Sequence, residues 1–333
     1  MAGPRCPVHQ WMLLSLLGLV VGAASIAPAV AWEPSKPIEL IVPAGPRGGA
    51  DLMARVIASL VETYKLSPQP VVVSTKFSGA RGDGFLYVKG KKGDGHTLII
   101  TLSNLFTTPL HAGVPFNWRD ITPLARLALD RFVLWVHAEA PYKTAQEYVA
   151  AVKEQPARFR MGGTGAAQED RLLTIQLEQA VGLKFIYIPF KGGGAVCANL
   201  ASKHIDSTVN NPAECRSHWE AGKVRPLAVF DSDRLTWATG RGDVPTTREA
   251  LGVDIQYLML RGIFGPPAMP REAVDFYRGM LKKVYEAPEF QTYLAGNGLM
   301  AAWLQGSEFV EWLDRAEELH KDLMRKSGLL KEK

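Results

Sequence analysis

Long apolar runs are scarce in this chain of 333 residues. The most prominent run, residues 11–21, is shorter than the roughly 20 residues that a membrane-spanning helix needs. Arg5 precedes this run, and Ala29 and Ala31 supply the small residues of a cleavage site. The pattern predicts a secretory signal peptide over residues 1–31, cleaved after Ala31, and a mature periplasmic chain that does not insert into the membrane. Retention of the segment as an uncleaved anchor is the alternative.

Cysteine is also rare, with three residues in the chain. Cys6 lies inside the predicted signal peptide, so Cys197 and Cys215 are the pair that remains in the mature protein. A disulfide between them would persist in an oxidising compartment. The alternative is two buried free thiols, because cysteine often behaves as a small hydrophobic residue.

Charge of one sign is not concentrated anywhere along the chain. The 38 Lys and Arg residues are interleaved with 33 Asp and Glu residues, which gives a net charge of +5. Nucleic-acid-binding proteins instead gather basic residues into blocks or stripes. The composition therefore argues against a nucleic-acid partner, whereas a modest positive balance is compatible with an anionic ligand.

Motifs of catalysis and metal binding are missing from the sequence. It has no Gly-x-Ser-x-Gly, His-Glu-x-x-His or Cys-x-x-Cys pattern, and no Gly-x-x-x-x-Gly-Lys-Ser/Thr phosphate loop. Five of its seven histidines are dispersed without the spacing of metal ligands: His96, His111, His137, His204 and His218. We therefore predict a protein that is not an enzyme and that uses no cofactor or metal.

A strand, a loop and a helix follow one another repeatedly. Residues 38–42 are an apolar run, residues 43–49 a Pro/Gly loop, and residues 52–64 an apolar-periodic helix. The same order recurs where loops follow runs at 97–101, 158–161, 185–188 and 207–209. This order predicts an α/β protein with largely parallel sheets, whose strand-end loops converge on one ligand cleft. The C-terminal third has helical periodicity over residues 271–285, 289–295 and 307–325.

Two glycine-rich loops are suited to anions. Glycines at 162–165 and 192–194 stand before predicted helices, where backbone N–H groups and the helix dipole favour negative charge. Lys191 adds a cation to the second loop. The alternatives are a tight turn without a ligand and a lysine that only meets solvent.

Ordered motifs across nearly the whole mature chain carry a family resemblance. They read IVPAGPRGGADLMAR at 41–55, PVVV at 70–73, GARG at 79–82, GDGHTL at 93–98, GGTG at 162–165, YIPFKG at 187–192, AGKVRPLAV at 221–229, DVPT at 243–246 and FGPP at 264–267. In this order the chain resembles the Bug family, the solute-binding receptors of tripartite tricarboxylate transporters. The ordered spacing is more specific than any one of the motifs.

The resemblance implies a fold and a set of domain boundaries. The fold is a two-lobed α/β Venus flytrap of the periplasmic-binding-protein type, with two crossing strands as its hinge. Lobe 1 would contain residues 36–128 and 255–333, and lobe 2 residues 129–254. Apolar residues 127–136 and 255–264 are the predicted crossing strands.

The resemblance also implies where a ligand would bind. Lobe 1 would contribute the loop made of Ala44, Gly45, Pro46, Arg47, Gly48, Gly49, Ala50 and Asp51. Lobe 2 would contribute Gly163, Thr164, Gly165 and Ala166, with Lys191 and Gly192 nearby. Further strand-end candidates are Ser103, Asn104 and Asn210. Ala50 replaces a hydroxyl residue that is common in the family, and Arg47 adds a guanidinium that is expected to steer or clamp the ligand. The alternative is that Arg47 points into solvent from the tip of the loop.

The expected function is capture of a small organic carboxylate, with a dicarboxylate or tricarboxylate preferred, for the membrane subunits of a tripartite tricarboxylate transporter. A backbone-lined helix start in each lobe suits a ligand with an acidic group at both ends. A monomer is expected. The alternatives are a hydrolase or isomerase that acts on a small carboxylate in the same cleft, and a scaffold protein with a filled interlobe gap.

Overall fold

The computed structural model describes residues 1–3, 32–77, 82–236 and 243–330. Nearly all of the predicted signal peptide, including the cleavage site after Ala31, lies outside these ranges. Residues Trp32–Lys333 form one compact unit. None of the helices in the described ranges combines the length and apolarity that a membrane span requires.

The secondary structure alternates between strands and helices for most of the chain. The strands are β1 (Ile38–Val42), β2 (Val71–Thr75), β3 (Thr97–Thr101), β4 (Thr122–Asp130), β5 (Val133–His137), β6 (Arg160–Thr164), β7 (Ile186–Phe190), β8 (Ser207–Asn210), β9 (Val224–Val229), β10 (Leu235–Thr236), β11 (Asp243–Val244), β12 (Met259–Gly265) and β13 (Leu299–Gln305). The helices are α1 (Gly49–Thr63), α2 (Asp83–Lys89), α3 (Asn104–Ala112), α4 (Ala145–Glu154), α5 (Glu169–Val181), α6 (Gly193–Ala201), α7 (Pro212–Glu220), α8 (Thr247–Leu251), α9 (Arg271–Glu286), α10 (Pro288–Gly296) and α11 (Gly306–Lys326).

Two separate sheets build the two lobes. The first has six strands in the order β13-β4-β12-β3-β1-β2, and the second has five in the order β7-β6-β8-β5-β9. The chain passes from the first sheet to the second between Asp130 and Val133, and it returns between Val229 and Met259. The two-lobed α/β architecture predicted from the sequence is thereby confirmed. The exact lobe boundaries stay a prediction.

The sheets are mixed, which corrects the expectation of largely parallel sheets. β1 pairs in parallel with β2 and β3, and β6 pairs in parallel with β7 and β8. The crossing strands run the other way: β12 is antiparallel to β3 and β4, and β5 is antiparallel to β8 and β9. Strands that carry the chain between lobes enter each sheet without a helical crossover, so the parallel rule for strand-helix-strand units does not govern them.

Strands β1 and β3 of the first sheet are buried on both faces. Leu40 and Leu98 belong to one hydrophobic cluster together with Met53 of α1. Ile41 and Ile99, which are adjacent in sequence to those residues, belong to a second cluster. Because successive side chains of a strand point to opposite faces, helices cover the sheet on both sides. The strand-end loops are therefore the places where this sheet can offer polar groups to a ligand.

A disulfide in the second lobe joins two neighbouring helices, α6 and α7. It joins Cys197 of α6 to Cys215 of α7, whose Cα atoms are 5.3 Å apart. Both residues are fully buried, in a cluster with Trp135 and Val196. A bridge across 18 residues of chain is expected to stabilise the fold by about 3 kcal/mol through the unfolded state.

Candidate ligand-binding site

A small cavity lies between the two sheets, with a volume of about 40 Å³. All five of the predicted strand-end loops reach it, from β1, β3, β6, β7 and β8. The lining residues are Ala44, Gly45, Gly48, Gly49, Ala50, Leu102, Thr164, Glu169, Asp170, Lys191, Gly192, Gly193, Asn211, Glu214, Met259 and Arg261. A volume of this size holds water or part of a small solute. The lobes are therefore close together in this structure.

The loop after β1 forms the lobe 1 wall mainly through small residues. Its outermost residues, Pro46 and Arg47, are exposed and do not line the cavity. Asp51 does not line it either. Its buried carboxylate accepts a hydrogen bond from the Arg47 N–H at 2.9 Å and pairs with Arg55 at 3.0 Å. Asp51 thus fixes the loop conformation, in which Arg47 has a φ of 62°.

In lobe 2 the structure divides the predicted contacts into two groups. Thr164, Lys191 and Gly192 line the cavity, whereas Gly163, Gly165 and Ala166 do not. A side chain on Gly163 would collide with Tyr187 and would lie 2.9 Å from Cβ of Asp170. Gly165 has a φ of 65°, which favours glycine. These glycines shape the loop, and Ala166 is exposed.

Three predicted polar residues lie behind the lining. Ser103, Asn104 and Asn210 are fully buried. Ser103 Oγ accepts a hydrogen bond from the Leu260 N–H at 3.2 Å, and Asn104 Oδ1 accepts one from the Leu102 N–H at 3.3 Å. The side-chain amide of Asn210 donates to the Gly193 carbonyl at 3.0 Å. They hold the backbone of Leu102 and Gly193, which line the cavity, and of Leu260, which stands between the lining residues Met259 and Arg261.

Glu214 is a cavity residue that the sequence analysis did not identify. Its Oε1 accepts a hydrogen bond from the Gly49 N–H at 3.1 Å, so a lobe 2 carboxyl group meets the N-terminus of α1 in lobe 1. A Cβ at Gly193 would overlap the same carboxyl group. Burial raises the pKa of Glu214 to about 7, and the charge of Asp170 acts in the same direction. The absence of a side chain at Gly193 therefore makes room for this contact between lobes.

Arg261 is another cavity residue that the sequence analysis did not identify. It lies on β12, is 1% exposed, and its Nε donates to Oδ2 of Asp130 at 3.0 Å. Nη2 also donates to this carboxylate. Burial acts to lower the pKa of the guanidinium, but the Asp130 carboxylate outweighs it and the pKa is raised. A Cβ on Gly49 would collide with the guanidinium. The cavity therefore contains a buried cation as well as three acids.

Two lobes joined by crossing strands around a polar cavity define a solute-binding protein of the periplasmic-binding-protein type. The chain belongs to the tripartite tricarboxylate transporter family receptors, because the model of that family, TctC, matches residues 53–329. This match confirms the resemblance seen in the sequence. The family consists of receptors, so the chain is a solute-binding receptor and not an enzyme.

Individual relatives agree with this assignment. The protein BugT of Bordetella pertussis is 27% identical over 238 residues, which cover 69% of this chain and 72% of BugT. The crystal structure of a TctC solute-binding protein from Polaromonas is 30% identical, with a TM-score of 0.65 and coverage of 88% and 99% of the two chains. R. palustris Rpa4515, whose structure was solved with adipate, is 22% identical, with a TM-score of 0.80 and coverage of 89% and 98%.

Proposed function

We propose that this receptor captures a small organic carboxylate between its lobes, with a dicarboxylate or tricarboxylate preferred, and presents it to the membrane subunits of a tripartite tricarboxylate transporter. The observation that carries the proposal is the polar cavity at the meeting point of five strand-end loops from both lobes. Open α/β sheets bind their ligands at this edge. The adipate bound to the R. palustris relative supports the same class of ligand.

The proposed ligand closes the receptor by touching both walls of the cavity. Gly45 and Gly49 belong to lobe 1, and Thr164 and Lys191 belong to lobe 2, so one small solute can contact all four. Lys191 is exposed at the edge of the cavity. A charge in that position would attract an anion and bind the carboxylate group nearer to solvent. Closure around the ligand then creates the form that the membrane partner recognises.

The location and oligomeric state follow from the same proposal. Family membership makes the chain an extracytoplasmic receptor, and the apolar run before Ala31 supports export followed by cleavage there. We expect the mature protein to begin at Trp32 and to be a monomer. N-terminal sequencing of the exported protein and its mass in solution test these two statements.

Thermal unfolding of the mature chain in the presence of single organic acids tests the ligand class. A ligand at 100 times its Kd is expected to stabilise the folded state by about 2.7 kcal/mol. We expect this from at least one of adipate, L-malate and citrate, with the acid recovered unchanged. Absence of stabilisation by any small carboxylate would contradict the proposal, and conversion of the acid to a product would show an enzyme.

A further inference from the structure

Two backbone N–H groups that were expected to bind a ligand already donate hydrogen bonds to side chains of the protein. The N–H of Gly49, at the start of α1, donates to Glu214 at 3.1 Å. The N–H of Thr164, in the lobe 2 loop, donates to Asp170 at 2.6 Å. The chain's own carboxyl groups thus hold amides in both walls. A ligand carboxylate needs a donor that these contacts leave available.

Arg261 provides such a donor. Nε and Nη2 of its guanidinium are engaged by Asp130, but Nη1 is buried and has no hydrogen-bond partner among the residues that the structure describes. Among the described side chains that line the cavity, Arg261 is the one with a buried nitrogen that has no hydrogen-bond partner. Buried polar groups in folded proteins are nearly always hydrogen-bonded, so an unpaired donor beside a cavity points to a bound partner.

The position of the guanidinium is fixed and close to the lobe 1 loop. Its Nη1 is 3.4 Å from the place that a Cβ on Gly49 would occupy. Asp130 lies on the neighbouring strand β4 and is fully buried, so the guanidinium that it binds is held in place away from solvent. Fixing a planar guanidinium in this way leaves its remaining N–H groups oriented for a carboxylate.

Other arginines near the crossing strands are bound differently. Arg126 Nε donates to the Ala302 carbonyl at 2.9 Å, and Arg278 donates to the carbonyls of Leu124 and Pro123 at 3.3 and 3.1 Å. These side chains donate hydrogen bonds to backbone carbonyls and do not line the cavity. Arg261 differs from them because a carboxylate holds one edge while the other is unsatisfied.

The charges around the cavity also favour this side for an anion. Glu169, Asp170 and Glu214 all come from lobe 2, but Glu214 reaches the Gly49 N–H beside Arg261, so Glu169 and Asp170 are the acids of the opposite wall. A ligand carboxylate near these acids would be repelled, unless the acids were protonated. On the lobe 1 side, the charge of Arg261 is balanced by Asp130, but its remaining N–H can still form a charge-assisted hydrogen bond.

We propose that Arg261 is the ligand-binding residue that anchors the inner carboxylate of the solute through Nη1, and that Asp130 is its positioning residue. The proposal rests on the carboxylate-binding function proposed above. The outer carboxylate then lies toward Lys191. A hydrogen bond from a charged donor is expected to change the affinity by about 10- to 100-fold.

The test compares Kd values by titration calorimetry for adipate, L-malate and citrate. Replacing Arg261 alone would leave Asp130 buried and unpaired, which destabilises a fold strongly. The main variant is therefore Arg261→Gln combined with Asp130→Asn, which removes both charges. It should stay folded and bind the wild type's best acid about 10- to 100-fold more weakly.

A matched control removes another ion pair next to the crossing strands. Arg131 Nε lies 2.5 Å from Oδ2 of Asp231, and neither residue lines the cavity. Arg131→Gln with Asp231→Asn should alter the melting temperature but keep Kd within about twofold, because ligand hydrogen bonds are unchanged. A separate variant, Arg261→Lys, keeps the charge beside Asp130 but lacks the fork, and should weaken binding about tenfold.

The outcomes separate the two proposals. If the wild type binds an acid and both Arg261 variants bind it equally well, the anchor is wrong while the receptor function stands. If the double variant does not fold, an unchanged Kd in Arg261→Lys is enough to overturn the anchor. If the wild type binds no small carboxylate, the proposed function fails and the anchor fails with it.

Discussion

The two walls of the cavity differ in the charge that they bury. Lobe 1 contributes small loop residues and the cation of Arg261, which Asp130 holds from behind. Lobe 2 contributes the acids Glu169, Asp170 and Glu214. The ends of the site are therefore not equivalent, although a helix begins at each of them. One wall can bind a carboxylate directly, and the other can do so only where its acids are neutralised or distant.

The two walls are also held in different ways. In lobe 2 a disulfide joins α6 to α7, which carry Gly193 and Glu214. In lobe 1 the brace is the ion pair between Arg261 and Asp130. The disulfide stabilises the fold mainly by restricting the unfolded chain, whereas the ion pair positions a side chain of the folded site. Variants that remove one brace at a time can therefore separate stability from ligand affinity.

Removal of the lobe 2 brace should have the strongest effect on stability. Replacing Cys197 and Cys215 with Ser should lower the free energy of unfolding by about 2–5 kcal/mol. Chemical denaturation of the mature protein measures this loss. A reductant should lower the wild type's stability toward that of the variant and leave the variant unchanged. Equal stability of the oxidised wild type and the variant would show that the bridge does not brace the lobe.

Glu214 should make stability depend on pH. Its pKa rises from a usual value of 4.5 to about 7 in the folded protein because it is buried. The folded state therefore holds the extra proton between these values, and stability falls as the pH rises through this window. The difference corresponds to at most about 3 kcal/mol. Glu214→Gln should flatten the profile between pH 4.5 and 7, and an identical slope in both proteins would contradict the assignment.

Gly193→Ala tests whether Glu214 needs the space that is free because Gly193 has no side chain. The new Cβ would overlap the carboxyl group, so the contact to the Gly49 N–H should be lost and the fold destabilised by about 1–3 kcal/mol. Gly279→Ala is the control. Gly279 lies in α9, is exposed, and has no described atom within 4 Å of the position of a new Cβ. It should be neutral or slightly stabilising, and equal losses in both variants would refute the explanation.

The weakest effect should come from Arg47, the residue that the sequence suggested as a clamp. The structure places its side chain on the surface and outside the cavity lining. Exposed charges contribute little to binding, so Arg47→Ala should change Kd by about twofold or less. A tenfold loss, measured with the same acid as for Arg261, would restore Arg47 as a ligand contact and weaken the contrast between the buried and exposed arginines.

The features predicted from the sequence are those that local patterns determine. The strand-end loops were located because apolar runs before Gly, Asn and Ser mark the carboxyl ends of strands. The helices α9 and α11 were located because their amphipathic period is long and regular, and the short helix α10 was located between them. β13 was not predicted, since Leu299–Gln305 pairs with β4, far away in the sequence.

Two of the site residues that were not predicted, Glu214 and Arg261, depend on long-range contacts. Gly49 and Glu214 are 165 positions apart, and Arg261 and Asp130 are 131 positions apart. One sequence pattern could have indicated the second pair. Arg261 and Asp130 both lie within apolar segments that were predicted to be crossing strands, and buried charges must be paired. The glycines of the loops were interpreted as ligand-binding backbone. In the structure, Gly49 leaves space for the side chain of Arg261, and Gly193 leaves space for that of Glu214.

A crystal structure of the mature protein with its best-binding dicarboxylate would show directly whether Arg261 anchors the ligand. We predict one carboxylate between the lobes, with an oxygen about 2.7–2.9 Å from Nη1 of Arg261. The second carboxylate should lie on the side of Lys191. A ligand that contacts both helix starts but leaves Nη1 without a partner would contradict the proposed anchor.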